Sequence, residues 1–253
     1  MSESLTISDV TSPNQVARRE AVRPDLIVIH YTAMQSAEAA IARLCAPEAE
    51  VSAHYVICER GQITRLVAEE MRAWHAGAGR WGAVRDVNSR SIGIELANRG
   101  DHPFGEPQMA SLEALMGEIM ARWKIAPERV IGHSDMAPGR KGDPGARFDW
   151  ARLARGGLSV WPKTGASVGA AGDFYADAAQ FGYPVGDVED ALVLEAFRLR
   201  FRPWGTGALS REDADLMAEL AQRWPVARNP LGGFAPPLAS PSRGALPPGF
   251  KSH

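Results

Sequence analysis

The alternation of apolar and polar positions separates a strand-and-helix region from an all-helical one. Leu26-Ile27-Val28-Ile29-His30 is a short continuous apolar run, the pattern of a strand covered on both faces, and it ends in a histidine. Open sheets containing parallel strands place their ligands at that C-terminal end. Ser36 is placed to cap a helix running to about Cys45, with Ala40, Ile41 and Leu44 on one side. Residues 51–58 and 62–67 flank Glu59-Arg60-Gly61 and read as a hairpin, and a Gly- and Arg-rich loop follows from Trp74 to about Arg90. In Ser91-Ile92-Gly93-Ile94-Glu95-Leu96 the alternation is strict: Ile92, Ile94 and Leu96 face one way, and Ser91, Gly93 and Glu95 the other. The second face is small and then acidic, which leaves room for a substrate and points a carboxylate at it. Leu112, Leu115, Met116, Ile119 and Trp123 recur at three- and four-residue steps and predict an amphipathic helix over 107–123. Val130-Ile131 starts another strand, and residues 149–153 close this region as a helix.

Residues 1–23 are polar and aperiodic, an arm lying on the domain that spans 24–155. Residues 156–172, rich in Gly, Ala and Ser, read as a linker. Three helical segments follow within 173–226. They cover 174–181, 188–201 (Val193, Phe197 and Phe201 on one stripe) and 210–224. In the third, Ser210 with Asp213 resembles a capping box ahead of Leu216, Met217, Leu220 and Trp224. Such stripes need a partner, so this unit is expected to pack on the first domain or narrow its groove. Pro and Gly dominate 227–253, a tail expected to be disordered.

Charge and composition narrow the function. A net charge of −2 over 253 residues leaves no electrostatic footprint for nucleic acid or an anionic membrane. No apolar run is long enough for a membrane span. Cys45 and Cys58 are too few for a disulfide framework and fit a reducing compartment. The first ten residues show no basic, apolar or lipidation signal, so a cytoplasmic location is expected.

Candidate chemistry centres on the stretch from Val130 to Gly145. There an apolar run ends in His133, and a Gly- and Pro-rich loop returns Lys141 and Asp143. Catalytic zinc takes three protein ligands and keeps a fourth position open. His30, His133 and Asp143 would supply two neutral imidazoles and a carboxylate, a centre that acidifies water and polarises a carbonyl. Glu95 is the candidate proton-transfer group, and Lys141 the candidate cation for an oxyanion. Each residue also has a bland reading. His30 alone is more often a satisfied strand-end histidine, Glu95 a solvent-facing or ion-paired residue, and Lys141 a surface lysine. His54 and His75 could equally be ligands, and spacing alone does not rank the four histidines. No Gly-x-Ser-x-Gly elbow or P-loop is present, so serine hydrolase and nucleotidase readings lack a motif.

Six ordered motifs then resemble one family. They are Ile29-His30-Tyr31-Thr32, Val51-Ser52-Ala53-His54-Tyr55, Ala73-Trp74-His75-Ala76-Gly77, Ser91-Ile92-Gly93-Ile94-Glu95-Leu96, Gly132-His133-Ser134-Asp135 and Arg140-Lys141-Gly142-Asp143-Pro144-Gly145. Over roughly residues 20–155 the chain resembles the zinc N-acetylmuramoyl-L-alanine amidases of the amidase-2 family, which are related to phage lysozyme-type amidases and peptidoglycan recognition proteins. The resemblance implies an α/β fold, a mixed central β-sheet flanked by helices, and one zinc ion on His30, His133 and Asp143. It implies Glu95 and Lys141 as the catalytic pair. His54, Trp74, His75 and Asn88 become substrate-pocket residues rather than ligands.

The small C-terminal three-helix unit resembles a peptidoglycan-binding domain through Phe181-Gly182-Tyr183, Ala196-Phe197 and Phe201-Arg202-Pro203, and could contact peptidoglycan or act as a structural cap. The expected reaction is hydrolysis of the amide between the lactyl group of N-acetylmuramic acid, in its 1,6-anhydro form, and L-alanine of a soluble muropeptide during wall recycling. The alternatives are an exported, periplasmic amidase acting on polymeric peptidoglycan and a non-catalytic peptidoglycan receptor. Receptors of this fold typically replace a zinc ligand, whereas every implied ligand stands in place here.

Overall fold

Four consecutive apolar side chains on one strand alternate between its two sides, so the run from Leu26 to Ile29 demands cover on both faces. The computed structural model describes residues 5–163 and 173–226 and shows how that cover is supplied. In chain order the elements are β1 (Ile7–Asp9), β2 (Gln15–Ala17), β3 (Leu26–Tyr31), α1 (Ala37–Leu44), β4 (Tyr55–Ile57), β5 (Ile63–Arg65), β6 (Met71–Ala73), α2 (Val87–Arg90), β7 (Ser91–Leu96), α3 (Glu106–Trp123), β8 (Val130–Gly132), α4 (His133–Met136), α5 (Trp150–Arg155), α6 (Phe174–Phe181), α7 (Asp190–Phe201) and α8 (Arg211–Arg223).

The main sheet is mixed, with strand order β1-β5-β4-β7-β3-β8. Every neighbouring pair is parallel except the β4–β5 hairpin. Strands β7 and β3 run side by side, covered at the edge by β8, with Leu26 opposite Ser91, Val28 opposite Gly93 and His30 opposite Glu95. Ile27 and Ile29 join Ile92, Ile94 and Val130 in a core closed by Met109, Leu112, Leu115, Met116 and Ile119 of α3. Leu26 and Val28 point the other way and join Ile131, Trp81, Phe181, Val193, Phe197, Phe201 and Leu220. The helical unit α6–α8 is therefore the cover for one face of the sheet. Its apolar stripes share one hydrophobic core with β3.

Local signals act as expected at several helix ends. The Ser36 side chain accepts from the Ala39 amide at the start of α1. Ser210 and Asp213 form a reciprocal capping box at the start of α8. Cys45 and Cys58 are both free thiols. No helix among the described residues is long and apolar enough to cross a membrane.

Two expectations need correction. The N-terminal segment is not an irregular arm: β1 extends the main sheet beside β5, and β2 pairs antiparallel with β6. Both strands are short and half-exposed, so they carry no hydrophobic period from which they could be read. Between them and β3, Arg18 is buried and donates to the carbonyls of Glu69, Asn88 and Ser89. The first part of the expected linker is also not loose. Ser159 and Val160 are buried, and the Lys163 amide donates to Glu219 of α8. The remainder of that linker and the tail lie outside the described residues.

The helical unit is itself tied by Asp213, whose buried carboxylate receives Arg198 at 2.6 Å and Arg202 at 3.1 Å as well as Ser210. Asp213→Ala leaves Arg198 without its carboxylate partner and removes one half of the capping box of α8, the bond from the Ser210 amide. Breaking a buried ion pair by removing one partner typically costs about 3 kcal/mol or more. Urea denaturation of the full chain should show a loss of that order, against a near-neutral result if the pair were merely decorative.

Candidate active site

Parallel pairing puts His30 and Glu95 next to each other on the same face, at the C-terminal ends of β3 and β7. Edge strand β8 then delivers His133 as the first residue of α4. The following loop returns Asp143, and the Ser134 amide pins it by donating to the Asp143 carbonyl. Asp143 Oδ2 lies 2.8 Å from His30 Nδ1 and 3.1 Å from His133 Nδ1. One donor atom from each residue falls within 4.8 Å of the others, and all three side chains are buried.

The hydrogen bonds behind this trio fix its tautomers. Ser91 Oγ–H donates to the Val87 carbonyl at 2.5 Å, so Ser91 Oγ must accept from His75 Nε2–H at 3.1 Å. Neutral His75 then accepts at Nδ1 from His30 Nε2–H, 3.0 Å away. That leaves His30 Nδ1 with a bare lone pair facing Asp143. His133 Nε2–H donates to the Ala76 carbonyl at 2.8 Å, which leaves its Nδ1 bare in the same way. Burial above all, then the neighbouring His133, lowers His30 to about 4, so it is neutral near pH 7. Three lone pairs thus converge with no proton required between them. A cation reconciles them, and two imidazoles with one carboxylate are a donor set suited to catalytic zinc.

The trio opens onto a cavity of about 480 Å³. Glu95 lines it, and its Oε2 is buried without a hydrogen-bond partner among the described residues. Burial first, and the charge of Asp143 second, push Glu95 up to about 8, while Lys141 works against the rise. Lys141 stands exposed on the same cavity wall.

The four residues expected to line the pocket divide. Trp74 and His75 do line it. His75 nevertheless occupies the space that the small face of β7 was expected to leave for substrate: a Cβ on Gly93 would sit 2.5 Å from His75 Cγ. Its ring contacts His30 rather than serving only as a wall.

His54 lies outside the cavity. It is fully buried, accepts from the Gly93 amide at Nδ1 and donates to the Met71 carbonyl at Nε2. Asn88 also lies outside. Its Oδ1 takes the amides of His75 and Ala76, which orients the carbonyl that His133 uses. The motif order placed His54 near the site, but not which side of a backbone it occupies.

The sequence reading missed two arginines of the cavity, Arg43 and Arg140. Arg140 donates to the Ala76 carbonyl at 2.7 Å and also to Ala78, joining the loop that carries Asp143 to the loop after β6. The signal available was its place beside Lys141. Arg43 sits on α1, which patterning marks only as a packed helix.

Two outcomes follow for metal binding. His133→Ala should abolish tight zinc binding, because two donors cannot hold a three-donor site; stoichiometric zinc after dialysis would exclude His133. Gly93→Ala should drive His75 against His30 and weaken zinc binding by about 10-fold or more, the usual scale for partners of metal ligands. Competition with a chromophoric chelator measures both.

Comparison with known proteins agrees with this geometry. The family model described as N-acetylmuramoyl-L-alanine amidase (Amidase_2) matches residues 20–146. The amidase AmiD of Escherichia coli (strain K12) is 36% identical over 212 residues, covering 72% of this chain and 76% of that protein. The 1,6-anhydro-N-acetylmuramyl-L-alanine amidase AmpD of Haemophilus influenzae is 44% identical over 103 residues, covering 40% of this chain and 56% of AmpD. Among solved structures, E. coli AmiD in complex with anhydro-N-acetylmuramic acid-L-Ala-D-gamma-Glu-L-Lys superposes with a TM-score of 0.72 at 32% identity, covering 83% of this chain and 93% of that one. AmpDh3 from Pseudomonas aeruginosa in complex with anhydromuramic pentapeptide also gives 0.72, at 30% identity, covering 83% and 96%. The buried His-His-Asp trio, the mixed sheet that carries it and these matches lead to one conclusion: the chain belongs to the N-acetylmuramoyl-L-alanine amidase family.

Proposed function

We propose that this chain binds one zinc ion on His30, His133 and Asp143. With it, the chain hydrolyses the amide between the lactyl carbonyl of 1,6-anhydro-N-acetylmuramic acid and L-alanine of a soluble muropeptide. The observation that carries the reading is the convergence of three donor atoms within 4.8 Å at a cavity whose Glu95 has an unpartnered carboxylate oxygen. Bound there, zinc acidifies water, polarises the amide carbonyl and adds positive charge beside Glu95.

The chain's own groups supply the rest. With positive charge held on the trio, Glu95 would return toward its ionised form, and its Oε2, which has no partner among the described residues to give up, would then take the proton of the attacking water. Returning that proton to the departing amine of L-alanine closes the cycle without a second acid. Lys141 adds positive charge where the carbonyl oxygen becomes anionic, and no ion pair among the described residues neutralises it. Arg43 and Arg140 on the same cavity suit the carboxylates of a stem peptide, and Trp74 gives an apolar wall.

The anhydro-muropeptide preference draws on AmiD and AmpDh3, both solved with ligands of that kind. A cytoplasmic recycling role is part of the proposal, with wall-directed action outside the cytoplasm as its competitor. Product masses from defined anhydro-muropeptide and from insoluble sacculi, with fractionation of native cells, separate the two. Release of peptide from sacculi only, by protein found in the periplasm, would replace the recycling role.

Glu95→Ala should keep zinc and substrate affinity while turnover falls by at least about 10²-fold, the low end for general acid–base catalysis. Loss of zinc, or unchanged turnover, contradicts the assignment. Lys141→Ala should lower kcat more than it raises KM, because its charge acts chiefly on the oxyanion of the transition state. An effect confined to KM would make it a ground-state binding residue.

A further inference from the structure

Behind His133, on the side away from the cavity, lies a buried polar cluster that the reaction does not use. Asp135, the third residue of α4, is fully buried, and its Oδ2 accepts from the Gly132 amide at 2.8 Å. That bond holds the backbone turn from which His133 projects. Asp135 is held in turn by two residues of the helical unit. Arg200 Nη1 donates to Oδ2 at 2.7 Å, and the Tyr183 hydroxyl donates to Oδ1 at 2.8 Å. Arg200 is itself 2% exposed, donates to the Val130 carbonyl at the sheet edge and to Ser159, and lies 4.2 Å from the centre of the Trp150 ring. Burial above all pushes the Tyr183 hydroxyl well up from its ordinary value, so it stays a donor. A second contact lies further along the same loop: a Cβ on Gly139 would sit 2.6 Å from Leu192 of α7, close before Lys141 and Asp143.

We infer that Tyr183 and Arg200 are positioning residues for the metal centre, acting through Asp135 on His133. The helical unit would then be a structural part of the metal site as well as a cover for the sheet. The physical argument is the cost of an unpaired buried carboxylate. Without Arg200 or Tyr183, the buried Asp135 carboxylate must reorient toward other donors, and that loosens its hold on the Gly132 amide. His133 Nδ1 then loses its fixed direction toward Asp143 and His30. This rests on the reading of His133 as a zinc ligand.

The test titrates the full-length protein with zinc alone against a chelator. Wild type should bind one zinc tightly and His133→Ala should not; any other result refutes the ligand assignment and this inference with it. With that assignment standing, Tyr183→Phe, which removes one oxygen and keeps the ring, should weaken zinc several-fold. Arg200→Met should weaken it by about 10-fold or more. In an Asp135→Ala background, Tyr183→Phe should have no further effect on zinc affinity, since its acceptor is gone. Hydrogen exchange of residues 130–137 in metal-free protein should speed up in Tyr183→Phe. Val193→Ala, a cavity in the same helical core that leaves every hydrogen bond to Asp135 in place, should reduce thermal stability without changing zinc affinity. Unchanged zinc affinity in both Tyr183→Phe and Arg200→Met overturns the inference while leaving His133 a ligand. So does additivity with Asp135→Ala, or an equal affinity loss in Val193→Ala.

Discussion

Asp143 Oδ2 stands within hydrogen-bonding distance of two imidazole nitrogens that the surrounding bonds leave unprotonated. Much of the architecture around the site exists to impose this. Ser91 gives its only proton to the Val87 carbonyl, which forces His75 and then His30 into single tautomers. Ala76, whose amide is held by Asn88, takes the Nε2 proton of His133. Mutual repulsion of the bare lone pairs is tolerable only with a cation among them or with uptake of a proton. The fold thus stores a preference for a metal in hydrogen bonds that never touch it.

The same interactions explain why the sheet carries such small side chains at Ser91 and Gly93. In a strand covered on both faces, larger residues would ordinarily fill that position. Here the space goes to the imidazole of His75, which stands over Gly93. Farther back on the same face, Leu26 and Val28 meet the helical unit, so one surface of β3 is a packed core at its beginning and a reactive site at its end. Moving α6–α8 would disturb both. Arg200, bonded to the edge strand and to Asp135, joins the two ends of that surface.

Much of the fold was legible in the sequence because the governing signals are local. The apolar run of β3, the alternation of β7, the stripe of α3 and the caps at Ser36 and Ser210 each depend on residues within a few positions of one another. The order of the six motifs likewise singled out His30, His133, Asp143, Glu95 and Lys141, and the fold brings these five to one cavity. Strands β1 and β2 were not legible, since they gain their hydrogen bonds from β5 and β6, far along the chain, and show no period of their own.

Only the tertiary structure could decide between the four histidines on physical grounds. His54, ahead of β4, and His75, after β6, both meet strand β7, and spacing does not reveal which side of Gly93 each ring occupies. Once folded, the Gly93 amide claims His54 while the missing Cβ of the same residue admits His75. The reach of Arg200 to Asp135 was equally hidden, because a charged residue on α7 reads as solvent-facing until a second element buries it. The sequence alone determined which side chains could do the chemistry. Their protonation, direction and support come from groups far apart in the chain, and close packing is what brings those groups together.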